Sequence, residues 1–158
     1  MSAPAGVPVH DRRASRVLVV DGDDRVLLFR GCDPAEPEEK FWFSAGGGLD
    51  DGEDERDAAC RELMEETGIR AVPDDLAGPV HREIAEFGFD GVWIRQHQVF
   101  YVLRVADNRV DTSGFEELEV ATMDQHHWWS LAELEATSEV IFPDNLVALL
   151  RDIRCGTS

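Results

Sequence analysis

A cluster of glutamates on one predicted helix constrains this chain more than any other feature of its sequence. Glu62, Glu65 and Glu66 stand at positions i, i+3 and i+4 of a segment, residues 54–67, that has helical periodicity and is followed by Gly68. At about 100° per residue, this spacing places three carboxylates on one face of the helix. Like charges at this spacing destabilise a helix by roughly 0.2–0.5 kcal/mol per pair, so the cluster is locally unfavourable.

A bound divalent cation would convert this repulsion into coordination, because carboxylate oxygens are the ligands that such cations prefer. The same glutamates, taken alone, also fit the solvated face of a surface helix. The neighbouring residues favour the metal. Glycines at 46–48 let the backbone approach a metal or a phosphate, and Glu53 is placed to pair with Arg61 and so to fix the preceding loop to the helix.

The charge of the whole chain restricts its partners. With 33 acidic and 15 basic residues, the formal net charge is −18. A nucleic-acid partner is not expected, because nucleic-acid binding usually depends on clustered Lys and Arg. A carboxylate-lined site can instead hold phosphates through divalent cations. No apolar run reaches membrane-spanning length, so the sequence predicts a soluble, cytoplasmic protein without a membrane partner.

The length of 158 residues fits one domain, which we place at residues 16–154 after a flexible N-terminal tail at residues 1–15. The cysteines are odd in number, widely separated and without metal-ligand spacing, so neither a disulfide framework nor a zinc site is expected. These cysteines are Cys32, Cys60 and Cys155.

The pattern of apolar residues and turn residues predicts a mixed sheet. Predicted strands cover residues 16–20, 25–29, 41–43, 80–87 and 92–105, and predicted helices cover residues 54–67, 131–135 and 144–153. Turns at residues 21–24 and 89–91 predict two hairpins, whereas residues 31–40, rich in proline and acid, are predicted as a loop. Strands interspersed with helices without strict alternation predict an α/β (α+β) domain, with a mixed β-sheet between helices.

The segment around the glutamates resembles the Nudix box, which is a glycine, five residues, a glutamate, seven residues and then R-E-U-x-E-E-x-G-U, where U is aliphatic. The chain fills every fixed position of this motif over 23 residues. The matching residues are Gly47, Glu53, Arg61, Glu62, Leu63, Glu65, Glu66, Gly68 and Ile69. Ala45 departs from the family pattern, since many members carry proline before the glycines.

The resemblance implies a Nudix-type α/β/α sandwich and the hydrolysis of a phosphoanhydride bond in a nucleoside diphosphate derivative. It implies that Glu65 and Glu66 bind Mg²⁺, for which Mn²⁺ is a substitute, with the Gly47 carbonyl as a further ligand. Glu62 is either another ligand or the general base that deprotonates the attacking water. Arg61 belongs to the same catalytic segment, where its expected role is mainly structural.

Members of the family often add a carboxylate from a later loop to the metal site. Glu119 is the first candidate for this ligand, and Glu116 and Glu117 are the alternatives. Solvated surface is the competing interpretation of each of these three glutamates.

Three further residues are candidates for substrate binding. Arg30 and Arg95 could contact phosphates, since guanidinium groups bind them well, although ordinary surface charge explains both residues. Asn145 stands shortly after Pro143 at the start of the last predicted helix, which resembles the branch of the family that hydrolyses oxidised purine triphosphates, and an amide can donate and accept together at a purine edge. A helix cap explains Asn145 without a ligand, and we prefer that interpretation.

Sequence markers of dinucleotide, dinucleoside polyphosphate and ADP-ribose specificity are mostly missing. A nucleoside triphosphate is therefore the expected small-molecule substrate, by elimination. An ADP-ribose or nucleotide-sugar pyrophosphatase and a non-catalytic nucleotide-sensing module are the alternatives, and the intact carboxylates favour an enzyme. The resemblance allows a homodimer, but no pattern in the sequence marks an interface.

Overall fold

The computed structural model describes residues 5–107, 109–111 and 123–154. Within these residues the chain forms six strands and three α-helices. The strands are β1 (Val9–Val20), β2 (Val26–Asp33), β3 (Glu36–Gly48), β4 (Ala77–Phe89), β5 (Val92–Arg104) and β6 (Met123–Trp129). The helices are α1 (Glu55–Thr67), α2 (Leu131–Ala136) and α3 (Leu146–Arg154), and a short 3₁₀ helix spans Pro73–Asp75.

The six strands form one mixed sheet in the order β4-β5-β1-β3-β2-β6. β1 and β5 run parallel, and the other neighbours are antiparallel. Side chains alternate across the sheet, so each face has its own apolar core. α1 packs on one face through Ala59 and Leu63, and α2 and α3 pack on the other through Leu134, Leu146, Leu150 and Ile153. The predicted α+β sandwich with a mixed sheet is therefore confirmed.

The helix that carries the glutamates begins and ends as its sequence predicts. The Asp54 side chain caps the N-terminus by accepting a hydrogen bond from the Arg56 amide. Gly68 ends the helix with a φ of 74°, a left-handed conformation that favours glycine. The helix that carries the carboxylates is thus bounded by an N-cap at Asp54 and a C-cap at Gly68.

The first strand is longer than predicted. β1 begins at Val9, whereas residues up to 15 were expected to form a tail and the strand to start at Arg16. Residues 9–15 lie in a parallel ladder with β5, from Val9 opposite Trp93 to Ser15 opposite Val99. Because the pairing partner is distant in sequence, the charged and exposed composition of this segment does not reveal the strand.

The predicted loop at residues 31–40 is also wrong. β2 continues to Asp33 and β3 starts at Glu36, so this stretch is a long hairpin in which Gly31 lies opposite Phe41. β3 pairs with β1 only at residues 45–48 and forms an isolated bridge from Trp42 to Ile141, so residues 36–41 have a strand partner on one edge only among the described residues. A strand with such an edge tolerates proline and acidic side chains, the two residue types that predicted a loop.

The hairpin of β4 and β5 has the predicted turn, in which Asp90 and Gly91 both take positive φ. Cys32 and Cys60 are free thiols, and Cys155 lies outside the described residues. No helix in the described part of the chain is long and apolar enough to cross a membrane.

Candidate active site

The glycine segment at the end of β3 is fixed directly to α1. Glu66 is 2% exposed, and its Oε1 accepts a hydrogen bond from the Gly46 amide at 2.6 Å. Gly46 has a φ of 142°, and a Cβ there would lie 2.1 Å from the carbonyl oxygen of Ser15 on β1. Only glycine fits this close approach. Glu66, a predicted metal ligand, therefore contacts the backbone of the glycine segment.

The second carboxylate, that of Glu62, lies against the next glycine. A Cβ on Gly47 would stand 2.6 Å from Glu62 Cδ and 2.7 Å from its Oε1. The side chain of Glu62 is only 13% exposed. The structure thus brings Glu62 to Gly47, whose carbonyl is a predicted metal ligand, and Glu66 to the preceding glycine.

We expect Gly47→Ala to reduce activity far more than stability. The added methyl group would displace the flexible end of Glu62 and would meet no backbone atom among its nearest neighbours. Misplacing a catalytic group by about 1 Å can lower the rate on the order of a hundredfold. The measurements are kcat/KM and Tm, with Gly22→Ala as control because a Cβ at Gly22 has no heavy atom within 4 Å. Equal activity of the two variants would contradict the placement of Glu62.

Arg61 is the centre of the polar network around α1. Its Nε and Nη2 donate to the two carboxylate oxygens of Glu53, both at 2.9 Å, as the motif spacing predicts. Nη2 also donates to the Gly48 carbonyl at 3.0 Å. Nη1 donates to Glu62 at 3.1 Å and to Glu65 at 3.4 Å. The guanidinium group of Arg61 consequently joins the loop before α1 to the carboxylates of Glu62 and Glu65 on the helix.

The bond to Arg61 changes the titration of Glu53. Chiefly through hydrogen bonding by Arg61 and also by the Asp50 backbone, the pKa of Glu53 falls from 4.5 to about 2. Because the folded-state pKa is the lower one, the stabilisation is complete above the unfolded-state value and is lost as the pH falls toward 2.

We therefore expect the Tm difference between wild type and Glu53→Gln to be constant near neutral pH and to shrink from about pH 4.5 to about pH 2. Thermal unfolding at a series of pH values measures this difference. Glu38→Gln, at an exposed position on β3, serves as the control that should show no such trend. A difference for Glu53→Gln that persists down to about pH 2 would contradict the assigned role of the ion pair.

The donor set on α1 suits a hard divalent cation, since it offers carboxylate oxygens beside a backbone carbonyl. In this structure Glu62 and Glu65 are both bonded to Arg61, and Glu66 is bonded to Gly46. Accordingly, the described residues contain no group of three or more His, Cys, Asp or Glu side chains gathered closely enough to hold a metal ion. The residue types and their shared location on α1 fit a divalent cation.

Two arginines beside the carboxylates were missed in the sequence. Arg16 Nη1 donates to the carbonyls of Ser44 and Gly46, each at 3.2 Å, and burial lowers the pKa of Arg16 while the nearby Glu66 opposes this shift. The Arg12 guanidinium covers Gly48, where a Cβ would lie 3.2 Å from its Nη2. Burial also lowers the pKa of Arg12, and Glu62 opposes this shift.

Both arginines lie on β1 and have the same parity, so they share one face of the sheet. Basic residues are few in a chain with a net charge of −18, and this scarcity could have marked both arginines as site candidates. The prediction of a tail at residues 1–15 hid the strand on which they lie. The site therefore brings two guanidinium groups close to the carboxylates of α1.

The other predicted site residues lie on other elements or outside the described residues. Arg30 lies on β2 opposite Trp42. Arg95 lies on β5, with ion pairs to Asp11 and Glu86, neither of which belongs to the carboxylate face of α1. Asn145 is exposed before α3, and its carbonyl accepts from the Leu149 amide. Glu116, Glu117 and Glu119 lie outside the described residues.

The comparison with known proteins agrees with this architecture. The family model of the NUDIX domain matches residues 10–150. The chain belongs to the Nudix hydrolase family. The RNA pyrophosphohydrolase of Caulobacter vibrioides is 30% identical to it over 144 residues, which cover 80% of this chain and 74% of that protein. The RNA pyrophosphohydrolase of Rhizobium meliloti is 39% identical over 71 residues, and this match spans only 42% of that relative's length.

Solved structures of Nudix enzymes share the fold at lower identity. The dihydroneopterin triphosphate pyrophosphohydrolase of E. coli superimposes with a TM-score of 0.64 at 18% identity, covering 92% of this chain and 96% of that one. At this identity the likeness shows the fold alone. The substrate of this Nudix hydrolase has to be argued from its own residues.

Proposed function

We propose that this Nudix hydrolase cleaves a phosphoanhydride bond of a nucleoside triphosphate in a Mg²⁺-dependent reaction. The observation that carries the proposal is that two glutamates of α1 lie at one glycine segment and that a third is bonded to the same arginine as one of them. Glu66 bonds to Gly46, Glu62 lies against Gly47, and Glu65 shares Arg61 with Glu62. A helix whose acids served only to stay solvated would not bury Glu66 to 2% exposure.

The proposed ligands of Mg²⁺, or of Mn²⁺ in its place, are Glu62, Glu65, Glu66 and the Gly47 carbonyl, with Glu119 as the contribution of the later loop. Such a cation, when bound, neutralises phosphate charge and lowers the pKa of a water molecule. Arg61 keeps the helix and the glycine segment in register through Glu53 and Gly48.

Side chains of the protein take the proton from water and bind the substrate phosphates in this proposal. Glu62 is either a ligand or the group that takes the proton of the attacking water, since its carboxylate lies at the glycine segment. Arg12 and Arg16 are placed to bind phosphate oxygens of the substrate, because both guanidinium groups lie beside the carboxylates. Arg30, Arg95 and Asn145 remain proposed contacts to the rest of the nucleotide.

The triphosphate at the 5′ end of an RNA is the second candidate substrate. Relatives at 30% and 39% identity carry the name RNA pyrophosphohydrolase. An RNA end presents the same phosphoanhydride bonds to the glutamates. The formal charge of −18 disfavours long RNA contacts, because backbone phosphates need neutralising by Lys and Arg.

Release of phosphate and pyrophosphate tests the proposal. The panel contains canonical and oxidised nucleoside triphosphates, ADP-ribose, nucleotide sugars and a short 5′-triphosphorylated RNA, each with and without Mg²⁺. The proposal expects Mg²⁺-dependent turnover of free triphosphates. Turnover of the RNA with none of the free nucleotides would favour the second candidate. Metal binding without turnover of any compound would refute both and favour a nucleotide-sensing module.

A further inference from the structure

β4 is an outer strand of the sheet and pairs only with β5 among the described residues. A register shift between Ala77 and His81 interrupts this pairing, and from His81 to Phe89 the pairing is regular. The opposite edge of this regular stretch, which we call the β4 edge, therefore carries backbone N–H and C=O groups that point away from the sheet. Such groups are a template for pairing with a further strand.

The side chains beside the β4 edge on the α1 face are exposed. Ile84 is 60% exposed, the highest value among the large hydrophobic residues that the structure describes. Arg82 and Glu86 share its face, because side chains alternate along a strand. The side chain of Arg82 is 59% exposed and that of Glu86 is 30% exposed. The β4 edge is thus bordered by an apolar centre with a cation on one side and an anion on the other.

Both charged groups retain bonding capacity for a partner. Arg82 donates to Glu55 through Nη1 and Nη2, each at 3.1 Å. The contacts of Glu86 with Trp93 Nε1 at 3.2 Å and with Arg95 Nε at 3.6 Å both go to Oε1. Among the described residues, these contacts leave Arg82 Nε as a donor and Glu86 Oε2 as an acceptor.

A second copy of the chain can pair with the β4 edge in few antiparallel registers. Residues that lie opposite each other in an antiparallel pair both direct their backbone groups toward the partner strand or both direct them away. In a pair of identical edges, the two-fold axis must therefore pass through a residue and its own copy. An axis at Arg82, Glu83 or Glu86 would place that charged side chain opposite the same charge, which is unfavourable.

An axis at Ile84 joins opposite charges instead. Ile84 then lies opposite Ile84 of the second copy, and Arg82 lies opposite Glu86. On the other face of the sheet, Glu83 lies opposite Ala85. The two-fold axis generates the pair of Arg82 with Glu86 twice, and no like charges lie opposite each other. An axis at Ala85 would place Ile84 opposite Glu86 and would form no ion pair. The β4 edge is consequently self-complementary when the axis passes through Ile84.

We propose that the β4 edge binds a second copy of this chain in antiparallel orientation, with the two-fold axis at Ile84. The same residues contribute from both copies, as in other two-fold interfaces. Backbone hydrogen bonds join the two six-stranded sheets, and the ion pairs of Arg82 with Glu86 select the register. This inference does not depend on the proposed substrate.

Analytical ultracentrifugation of the full-length protein over a series of concentrations measures the association. We expect a monomer–dimer equilibrium whose Kd rises with salt concentration, because the ion pairs lie at an exposed edge. A wild type that sediments as a monomer at every concentration would overturn the proposal.

Charge reversal tests the register. Arg82→Glu and Glu86→Arg each place like charges opposite each other twice, so the Kd of each variant alone should rise about tenfold or more. In an equimolar mixture, the two reversed side chains lie opposite each other and so do the two native ones. The mixture should therefore form heterodimers with a Kd near that of the wild type. Circular dichroism confirms that each variant is folded. A mixture that associates no better than the separate variants would overturn the proposal.

Ile84→Lys tests the position of the axis, because it places two cations opposite each other at the centre of the interface. We expect it to raise the Kd about tenfold or more. Val72→Lys makes the same change at a residue outside β4 that is 58% exposed, and it should leave the Kd unchanged. Equal Kd values for the two variants would overturn the proposal.

Discussion

Glu66→Gln should lower kcat by about 10²–10³-fold while the protein stays folded. The substitution removes a charge that the proposed cation needs. It keeps an oxygen that can accept the hydrogen bond now made by the Gly46 amide at 2.6 Å. It also relieves part of the repulsion among the three carboxylates of α1, so the loss of a charge-assisted hydrogen bond is partly offset. We expect Tm to change by no more than a few degrees.

Steady-state kinetics at saturating Mg²⁺, together with thermal unfolding, measure the two effects. Glu38→Gln makes the same chemical change at an exposed position of β3 and should leave both kcat and Tm near wild type. A Glu66→Gln protein with the wild-type rate at saturating Mg²⁺ would remove Glu66 from the proposed ligands. A variant that unfolds at room temperature would mean that Glu66 serves chiefly the fold.

Arg61→Ala should damage stability and activity together. Arg61 contacts both oxygens of Glu53 and the Gly48 carbonyl, so its loss frees the loop before α1 and leaves polar groups unpaired. A charged hydrogen-bond network of this kind contributes about 2–3 kcal/mol, which corresponds to roughly 5–10 °C in Tm for a chain of this size. The carboxylates of Glu62 and Glu65 also lose their common partner, so we expect kcat/KM to fall about tenfold or more.

Arg61→Lys separates charge from geometry, because lysine keeps the charge but cannot make the two-pronged bond to Glu53. It should recover only part of the lost Tm. Arg151→Ala is the control, since Arg151 pairs with Glu135 at 3.1 Å on the surface, where such pairs contribute little. Normal melting combined with normal activity in Arg61→Ala would contradict the coupling between loop and helix.

The sequence was sufficient to predict those parts of the site whose partners are close in the chain. The helix with its Gly68 stop, the pair of Glu53 with Arg61, and the shared face of Glu62 and Glu66 all follow from spacing along one segment. For these residues, the resemblance to the Nudix box and the geometry of the helix lead to the same prediction.

Features that depend on distant pairing were not predictable in the same way. The parallel ladder of β1 with β5 turned a predicted tail into a strand, and Arg12 on that strand covers Gly48 of the glycine segment. The bonds of Arg61 to Glu62 and Glu65 follow from side-chain directions, which spacing alone leaves open.

The most direct test of the central claim is a titration of the full-length protein with Mn²⁺, followed by electron paramagnetic resonance of the free ion. The claim is that the carboxylates of α1 hold the divalent cation. We predict saturable binding by the wild type and its loss in the triple variant Glu62→Gln, Glu65→Gln, Glu66→Gln, with the fold checked by circular dichroism. Equal Mn²⁺ binding by the folded triple variant would contradict the claim and place the cation elsewhere.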